Sequence, residues 1–448
     1  MDLGSTNLKA LFVDRAGEVR GAAARPTPFY AASTPGGVET EVDALEWAVR
    51  ELLSALGAAR DEVVGVGVAG MAESGAPMAE GYPLGPVLAW FDGRGQETVS
   101  RLEDALGPDL ARRTGRRLRS VSSVAKLGWL LEDGMPLPQR WLGVPETGLF
   151  LLTGTEATEY SLASRTGAYD VATRSWIPEV TDVLGVAPDV FPAVRPAGAP
   201  MGEVSWAAAA RFGLPAGIPV TIAGHDHLAA AEALGVGDHD LLNSVGTAET
   251  VLGRSAALPD IGRTLELGLA VTLRPGGEGW VVLASAARSG LVLERLAAEL
   301  GADPAELDRL ADDVIAAGGT LPDASGIFER ATRPGMALLD PLESPAMAPG
   351  LVWAGALQAL VARSAGAAAR VVEVLGPAPR QVVYGGGSRS RPWLTLKARA
   401  ARPLPVVRVT TADAVARGAA LAAGVAAGWW PSLRDAPPAA LEPVDTVV

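Results

Sequence analysis

Four short segments carry residue types suited to holding a phosphate chain and moving a proton. The first is Asp2-Leu3-Gly4-Ser5-Thr6-Asn7-Leu8-Lys9. A glycine-containing turn lets backbone N–H groups and two hydroxyls approach a phosphate, because glycine removes the side-chain obstacle. An aspartate just before such a turn can hold Mg2+, usually through water. Taken alone, these residues read equally well as an ordinary hairpin. Asn243-Ser244-Val245-Gly246-Thr247 offers the same chemistry in the second half, and two such turns fit a phosphate chain gripped from both sides. Tyr384-Gly385-Gly386-Gly387-Ser388 would admit a flat base or ribose against bare backbone, with a flexible strand–helix loop as the alternative. Gly224-His225-Asp226-His227 sets two of the three histidines around one acid. Their i, i+2 spacing, with no further His or Cys nearby, argues against zinc. A carboxylate at a strand end suits a general base that takes the proton of a substrate hydroxyl. The competing reading is that Asp226 caps the helix that follows.

Composition narrows the function classes. The chain has 448 residues, with 38 Lys+Arg against 51 Asp+Glu and a net charge of −13. At about 150 residues per domain this length suggests two or three domains. With 48 % apolar and 20 % charged residues it can bury large cores, which excludes wholesale disorder. An acidic chain is a poor partner for nucleic acid. Without cysteine there are no disulfides, thiolate–zinc sites or cysteine nucleophiles. The N-terminus has no charged and apolar regions of a signal peptide, and the longest apolar stretch, Gly418 to Trp430, is too short to span a bilayer. The expectation is a soluble, cytoplasmic protein with no membrane or nucleic-acid partner. Only three lysines occur, Lys9, Lys126 and Lys397. A lysine retained among so many arginines suggests a use for a compact point charge.

The elements that must position these residues are legible in outline. Leu8–Asp14, the turn Asp14–Gly17 and Glu18–Ala24 read as a hairpin. Asp43 to Leu56 has apolar residues at helical spacing, and Val63–Val68 reads as a buried strand delivering a loop. A Pro- and Gly-rich stretch from Ala187 to Pro219 looks like the join between two halves. Beyond it, Val220–Ala223, Leu241–Leu252 (strand, turn, strand), Leu267–Leu273, Trp280–Ala284, Gln381–Tyr384 and Val406–Thr410 read as strands. Gly355–Leu375, Trp393–Lys397 and Ala412 to about Ala427 read as helices. Mixed strands and helices, with the opening hairpin used twice, point to two similar α/β domains facing a ligand cleft.

The order of these segments resembles the FGGY family of carbohydrate kinases, within the actin/Hsp70/sugar-kinase superfamily. Asp2–Lys9 resembles its first phosphate motif, Gly36–Asp43 with Trp47 its acidic entry to the first helix, and Gly67–Glu73 the strand and loop that place sugar-binding side chains. Ala89–Arg94 resembles its Trp-x-Asp-x-Arg segment, and Ser123–Glu132 is close to a family signature. Gly224–Asp226 resembles the segment with the catalytic aspartate, Gly246-Thr247 the second phosphate motif, and Gly385–Lys397 the adenosine motif. The chain opens at the aspartate of the first motif, so a short first strand, or a start further upstream, is expected. Gly326 to Pro349 offers only Phe328-Glu329-Arg330 where the family has Gly-Glu-Arg-x-Pro.

The resemblance implies two ribonuclease-H-like, actin-like ATPase domains, 1–218 on the sugar side and 219–448 on the nucleotide side. It implies ATP-dependent phosphorylation of a small sugar, polyol, sugar acid or cyclitol, with ATP and Mg2+ required and a homodimer as one assembly. Asp226 would be the base, and Asp2 with Asp226 would hold the metal. Ala72, Glu73, Trp90, Asp92, Arg94, His225 and His227 would contact substrate. Gly4, Ser5, Thr6, Lys9, Gly246, Thr247, Gly290, Gly386, Gly387, Ser388 and Arg391 would contact ATP. Arg94 could equally be an ion-pair partner of Asp92, and Glu73 a loop or cap residue. Lys126-Leu127-Gly128-Trp129 reads as helix packing. A non-catalytic relative that binds sugar or nucleotide and signals by domain closure is the alternative, and a chaperone-like ATPase a third.

Overall fold

The computed structural model describes residues 1–333, 336–339, 347–411 and 413–444. Asp14 accepts hydrogen bonds from the Ala16 and Glu18 amides, and Gly17 takes the left-handed conformation, so the chain turns back on itself. Strands Asn7–Val13 and Val19–Pro26 result, and the two-residue strand Asp2–Leu3 pairs with the first of them. Val66–Gly70 and then Pro219–His225 add in parallel on the other side of Asp2–Leu3, and Gly202–Glu203 closes the edge. The second sheet repeats this sense. Trp280–Ala287 and Glu249–Ser255 lie antiparallel beside the central Leu241–Val245, while Gln381–Tyr384 and Val406–Val409 add in parallel. Ala270–Leu273 and Leu441–Pro443 extend its two edges. Two antiparallel strands, a central strand and two parallel strands, in the same order twice, make two ribonuclease-H-like α/β units.

The expected division at 218/219 falls just before Pro219–His225, which is hydrogen-bonded into the first sheet; the second sheet starts at Leu241. The stretch 187–219 is more than a join, since it holds strands Ala193–Arg195 and Gly202–Glu203 and the helix Trp206–Phe212. Helix Ala414–Ala426 packs on Val66–Gly70 and Pro219–His225, so the C-terminal part of the chain covers the first sheet. Its small residues let Ala419 and Ala422 meet Ala69, Ala223 and Ala229 in one alanine cluster. The expected first residue of this helix, Ala412, lies outside the described residues.

Two local expectations shift. Leu267–Leu273 is not one strand. Asp260 caps helix Ile261–Glu266, Gly268 turns the chain, and the strand runs only from Ala270. The long second-half helix starts earlier, at Pro349, and runs to Leu375. By length and composition this helix could cross a membrane, yet it lies against the strands Glu249–Ser255 and Trp280–Ala287, more than half buried. Core placement accounts for its apolar character.

The first unit also carries a small separate sheet of Tyr30–Ala31, Val38–Thr40, Gly75–Ala79, Tyr82–Pro83, Val87–Leu88 and Arg140–Gly143. Helices Gln96–Leu106 and Ser123–Glu132 accompany it. This layer carries Glu73, Trp90, Asp92 and Arg94.

Candidate active site

Asp226 begins the helix Asp226–Ala233 immediately after the strand Pro219–His225. Its Oδ1 accepts the His227 amide at 2.6 Å and lies 3.1 Å from Nε2 of His225. Asp2 faces it from the first strand of the same sheet. Burial, and then the negative charge of Asp226, pushes the Asp2 carboxyl up to about 7. Its Oδ1 is buried without a hydrogen-bond partner. Two hard carboxylates, one with an orphaned oxygen, are the donor set a Mg2+ ion takes. His225, Asp226 and His227 bring their ligand atoms within 4.8 Å of one another. One nitrogen of each imidazole is already engaged, while His225 Nδ1 is buried without a partner. His227 Nδ1 sits 3.2 Å from the Tyr384 hydroxyl, and His225 Nε2 turns to Asp226. Burial holds His225 neutral, down to about 3, although Asp226 opposes the shift.

Tyr384 ends a strand of the second sheet, so its contact with His227 joins the two units beside Asp226. Burial first, then the charges of Asp226 and Asp2, raises its hydroxyl above the ordinary phenol range. The turn Gly4–Thr6 leaves the first sheet beside Asp2, with Ser5 half-buried and Thr6 exposed. Lys9, opposite Asp2 across the strand pair, bonds Asp413 at 2.5 Å. Gly246–Ala248 is the corresponding turn of the second sheet, with Thr247 exposed. Gly290 is required next to it. A Cβ there would meet the Gly246 carbonyl oxygen at 2.7 Å and the Thr247 Cα at 2.9 Å. The N-terminus of helix Ser289–Leu300 is thereby packed on the turn, and the Gly290 and Leu291 amides donate to the Gly246 and Thr247 carbonyls, which fixes the turn's shape.

The triple-glycine segment forms a single turn of 3-10 helix, Gly386–Arg389, after Tyr384. Gly386 stands open, whereas Ser388 is buried and donates to the Gly385 carbonyl at 2.7 Å. Ser388 therefore holds the turn together instead of presenting its hydroxyl. Arg391 is exposed on the following helix, 3.8 Å from Asp312. Lys397 is buried, with Nζ bonded to Asn243 Oδ1 and Ser364 Oγ, both at 2.8 Å, and to Glu249. It ties together the two strands that flank the Gly246 turn.

On the sugar side, Ala72 is buried, Trp90 is half-buried with its amide bonded to Ser74, and Glu73 takes the left-handed conformation at φ 65°. Strain of that kind in a residue other than glycine concentrates at functional sites. One oxygen of Glu73, Oε1, is shared by Arg116 at 2.9 Å and Arg165 at 2.5 Å. Burial alone would raise this carboxyl, but the two guanidiniums hold it below the usual range. Arg116 and Arg165 were not among the expected residues, because each follows a short helix far from Glu73 in sequence. Arginine spacing carried no signal for them.

Asp92 and Arg94 are engaged with each other. Arg94 bonds both oxygens of Asp92 and reaches Glu39 at 2.7 Å, while Asp92 also accepts the Val38 amide. Asp92's side chain is wholly buried, and the pair braces the loop behind Trp90. Lys126 is fully buried and donates to the carbonyls of Asp92 and Ser120, both at 2.9 Å, fixing the same loop. Lys126 and Lys397 thus act as compact donors to grouped oxygens, and Lys9 to the single oxygen of Asp413.

A further network braces the base. Glu159 Oε2 accepts from the Ser161 hydroxyl at 2.5 Å, and Ser161 Oγ in turn accepts the His225 amide at 2.9 Å. Glu159 Oε1 accepts the Gly276 amide from the second unit at 2.8 Å. Gly224, at φ 109°, leaves room for this, since a Cβ would lie 2.5 Å from Ser161 Oγ.

A sequence profile for the N-terminal domain of the FGGY family of carbohydrate kinases matches residues 1–233. L-fuculokinase of Salmonella typhi is 31% identical over 264 residues, which is 57% of this chain and 56% of that protein. The chain thus aligns with little more than half the length of that relative. Glycerol kinase of Bordetella parapertussis is 29% identical over 483 residues, covering 97% of this chain and 89% of the relative. Among solved structures, a xyloylose kinase from Brucella ovis superposes with a TM-score of 0.84 at 21% identity, covering 98% of this chain and 92% of that one. That likeness supports the two-unit fold.

Proposed function

The chain belongs to the FGGY family of carbohydrate kinases, and from that premise we propose that it transfers the γ-phosphoryl group of ATP to a hydroxyl of a small carbohydrate. Asp226 is the general base of this reading. The observation that supports it is the convergence of Asp226, Asp2 and Tyr384, from both sheets, between two glycine-containing turns. Phosphoryl transfer demands positioning and charge neutralisation more than covalent chemistry. The substrate hydroxyl gives its proton to Asp226, its oxygen bonds the γ-phosphorus, and the bond to the β–γ bridging oxygen breaks to leave ADP. The turns Gly4–Thr6 and Gly246–Thr247 grip the phosphates, with Gly290 at the helix end holding the second turn in place. Asp2 and Asp226 would hold Mg2+, which when bound offsets phosphate charge. Glu73 receives substrate hydroxyls through the oxygen that the arginines leave free, and Trp90 forms a wall. Gly386 and Gly387 accommodate the base, while Arg391 can reach it only from the surface. The two units are taken to part in the stretch 234–240, between the sheets.

A coupled ADP-release assay against polyols, ketoses, aldonates and cyclitols tests this. At least one compound class should raise ADP release well above the ATP-only rate. Tight sugar binding with no ADP release for any class would favour a binding protein that signals by closure.

Glu159 enters this scheme as a positioning residue. Glu159→Ala should free Ser161 and the His225 amide, lowering kcat by about 10- to 100-fold at unchanged KM for ATP, the scale expected of a small misplacement. Glu159→Gln, which keeps an acceptor for Ser161, should recover most of it. Unchanged kcat in Glu159→Ala would show that Asp226 needs no such brace.

A further inference from the structure

Two guanidiniums share a single oxygen of Glu73, and that arrangement leaves charge over. Arg116 spends Nη1 on Glu73 Oε1 and on the Arg165 carbonyl at 3.1 Å, while Arg165 spends Nη2 on the same Oε1. Each guanidinium carries five N–H donors in a planar fork. The Nε atoms of both are buried with no hydrogen-bond partner. Their side chains are only 8% and 12% exposed, so water does not neutralise them as it would at the surface. Nearby, Arg94 pairs with Asp92 and Glu39, Lys126 is held by backbone carbonyls, and the Arg119 charge also acts on Arg116. Positive charge therefore remains unmatched beside Glu73, in a chain whose net charge is −13. A half-paired buried charge is costly, and it is retained where a ligand completes it.

We infer that the substrate carries a carboxylate, an aldonate or uronate, read by the forks of Arg116 and Arg165 while Glu73 accepts an adjacent hydroxyl. A carboxylate matches the unmatched positive charge and the planar donors. The inference rests on the kinase reading above and narrows its substrate.

The test uses the intact protein and pairs of compounds that differ only at C1, an aldonate and the alditol of the same configuration, in four- to six-carbon series. Phosphorylation is followed by ADP release and binding by calorimetry. The acid of one pair should exceed its alditol in kcat/KM by about 10²-fold or more, the scale on which sites reject a substrate lacking the group they pair with. Arg116→Gln and Arg165→Gln should each erase most of that preference while calorimetric ATP binding persists. An alditol or ketose used as well as, or better than, every acid overturns the inference and leaves the kinase reading standing. Acid binding that Arg116→Gln abolishes, without phosphorylation of any compound, supports the inference and overturns the kinase reading. Absence of binding and turnover with every acid overturns the inference, and the assay with neutral sugars then decides the kinase reading separately.

Discussion

Asp226→Asn is expected to lower kcat by about 10²–10⁴, the range for losing general-base catalysis, while ATP binding stays within a few-fold of wild type. The substitution is nearly isosteric. An asparagine oxygen can still accept the His227 amide, which Asp226 holds at 2.6 Å, so the helix start is preserved. What disappears is the capacity to take a proton. His225 cannot substitute, because burial keeps its ring from gaining one near neutral pH. Tyr384 cannot either, since its phenol is pushed above the ordinary range. Asp2 is the remaining carboxyl, but it lies toward the phosphate turn and is held up to about 7 by burial and by Asp226. Steady-state rates and calorimetric ATP binding on the same preparation check the split. An Asp226→Asn protein within a few-fold of wild type in kcat would remove Asp226 from the role.

The second large effect is on stability. Lys397→Met should destabilise the second unit by about 3–5 kcal/mol, the cost of stranding one partner of a buried ion pair. Glu249 is wholly buried, and its Oε2 already lacks a partner. Without the lysine it would keep an uncompensated charge, and Asn243 and Ser364 would lose a shared donor. Lys397→Met combined with Glu249→Gln should recover much of the loss, since removing both charges of such a pair is often nearly neutral. Denaturation followed by a second-unit probe, Trp393, measures both variants. A single-mutant cost below about 1 kcal/mol, or no recovery in the double, would contradict this assignment.

The parts of the site legible in sequence were those whose chemistry is local. Glycine with hydroxyls after a strand, or an acid between histidines, announces itself within a few residues, and the two glycine turns and Asp226 are proposed on that ground. Residues assembled from distant segments were not. Arg116 and Arg165 reach Glu73 through tertiary folding, and Glu159 reaches His225 only through Ser161. For Trp-x-Asp-x-Arg, spacing left substrate contact and an Asp92–Arg94 ion pair as alternatives, and the structure pairs the two side chains. In the fold, long strands and helices could be read from periodicity, whereas the small third sheet, with strands of two to five residues, could not. The strand Pro219–His225 was visible as a strand, but its membership in the first sheet depends on pairing with Val66–Gly70, which no local pattern records.

The central claim is that the γ-phosphoryl group leaves ATP for a carbohydrate hydroxyl in the cleft where Asp226 and Asp2 meet. Phosphorus NMR of the protein with ATP, Mg2+ and the substrate selected by the ADP-release panel tests it most directly. The account predicts one new sugar phosphomonoester resonance for each ADP formed, with neither appearing at a comparable rate in Asp226→Asn. Inorganic phosphate accumulating in place of the phosphomonoester would contradict it and mark the protein as an ATPase.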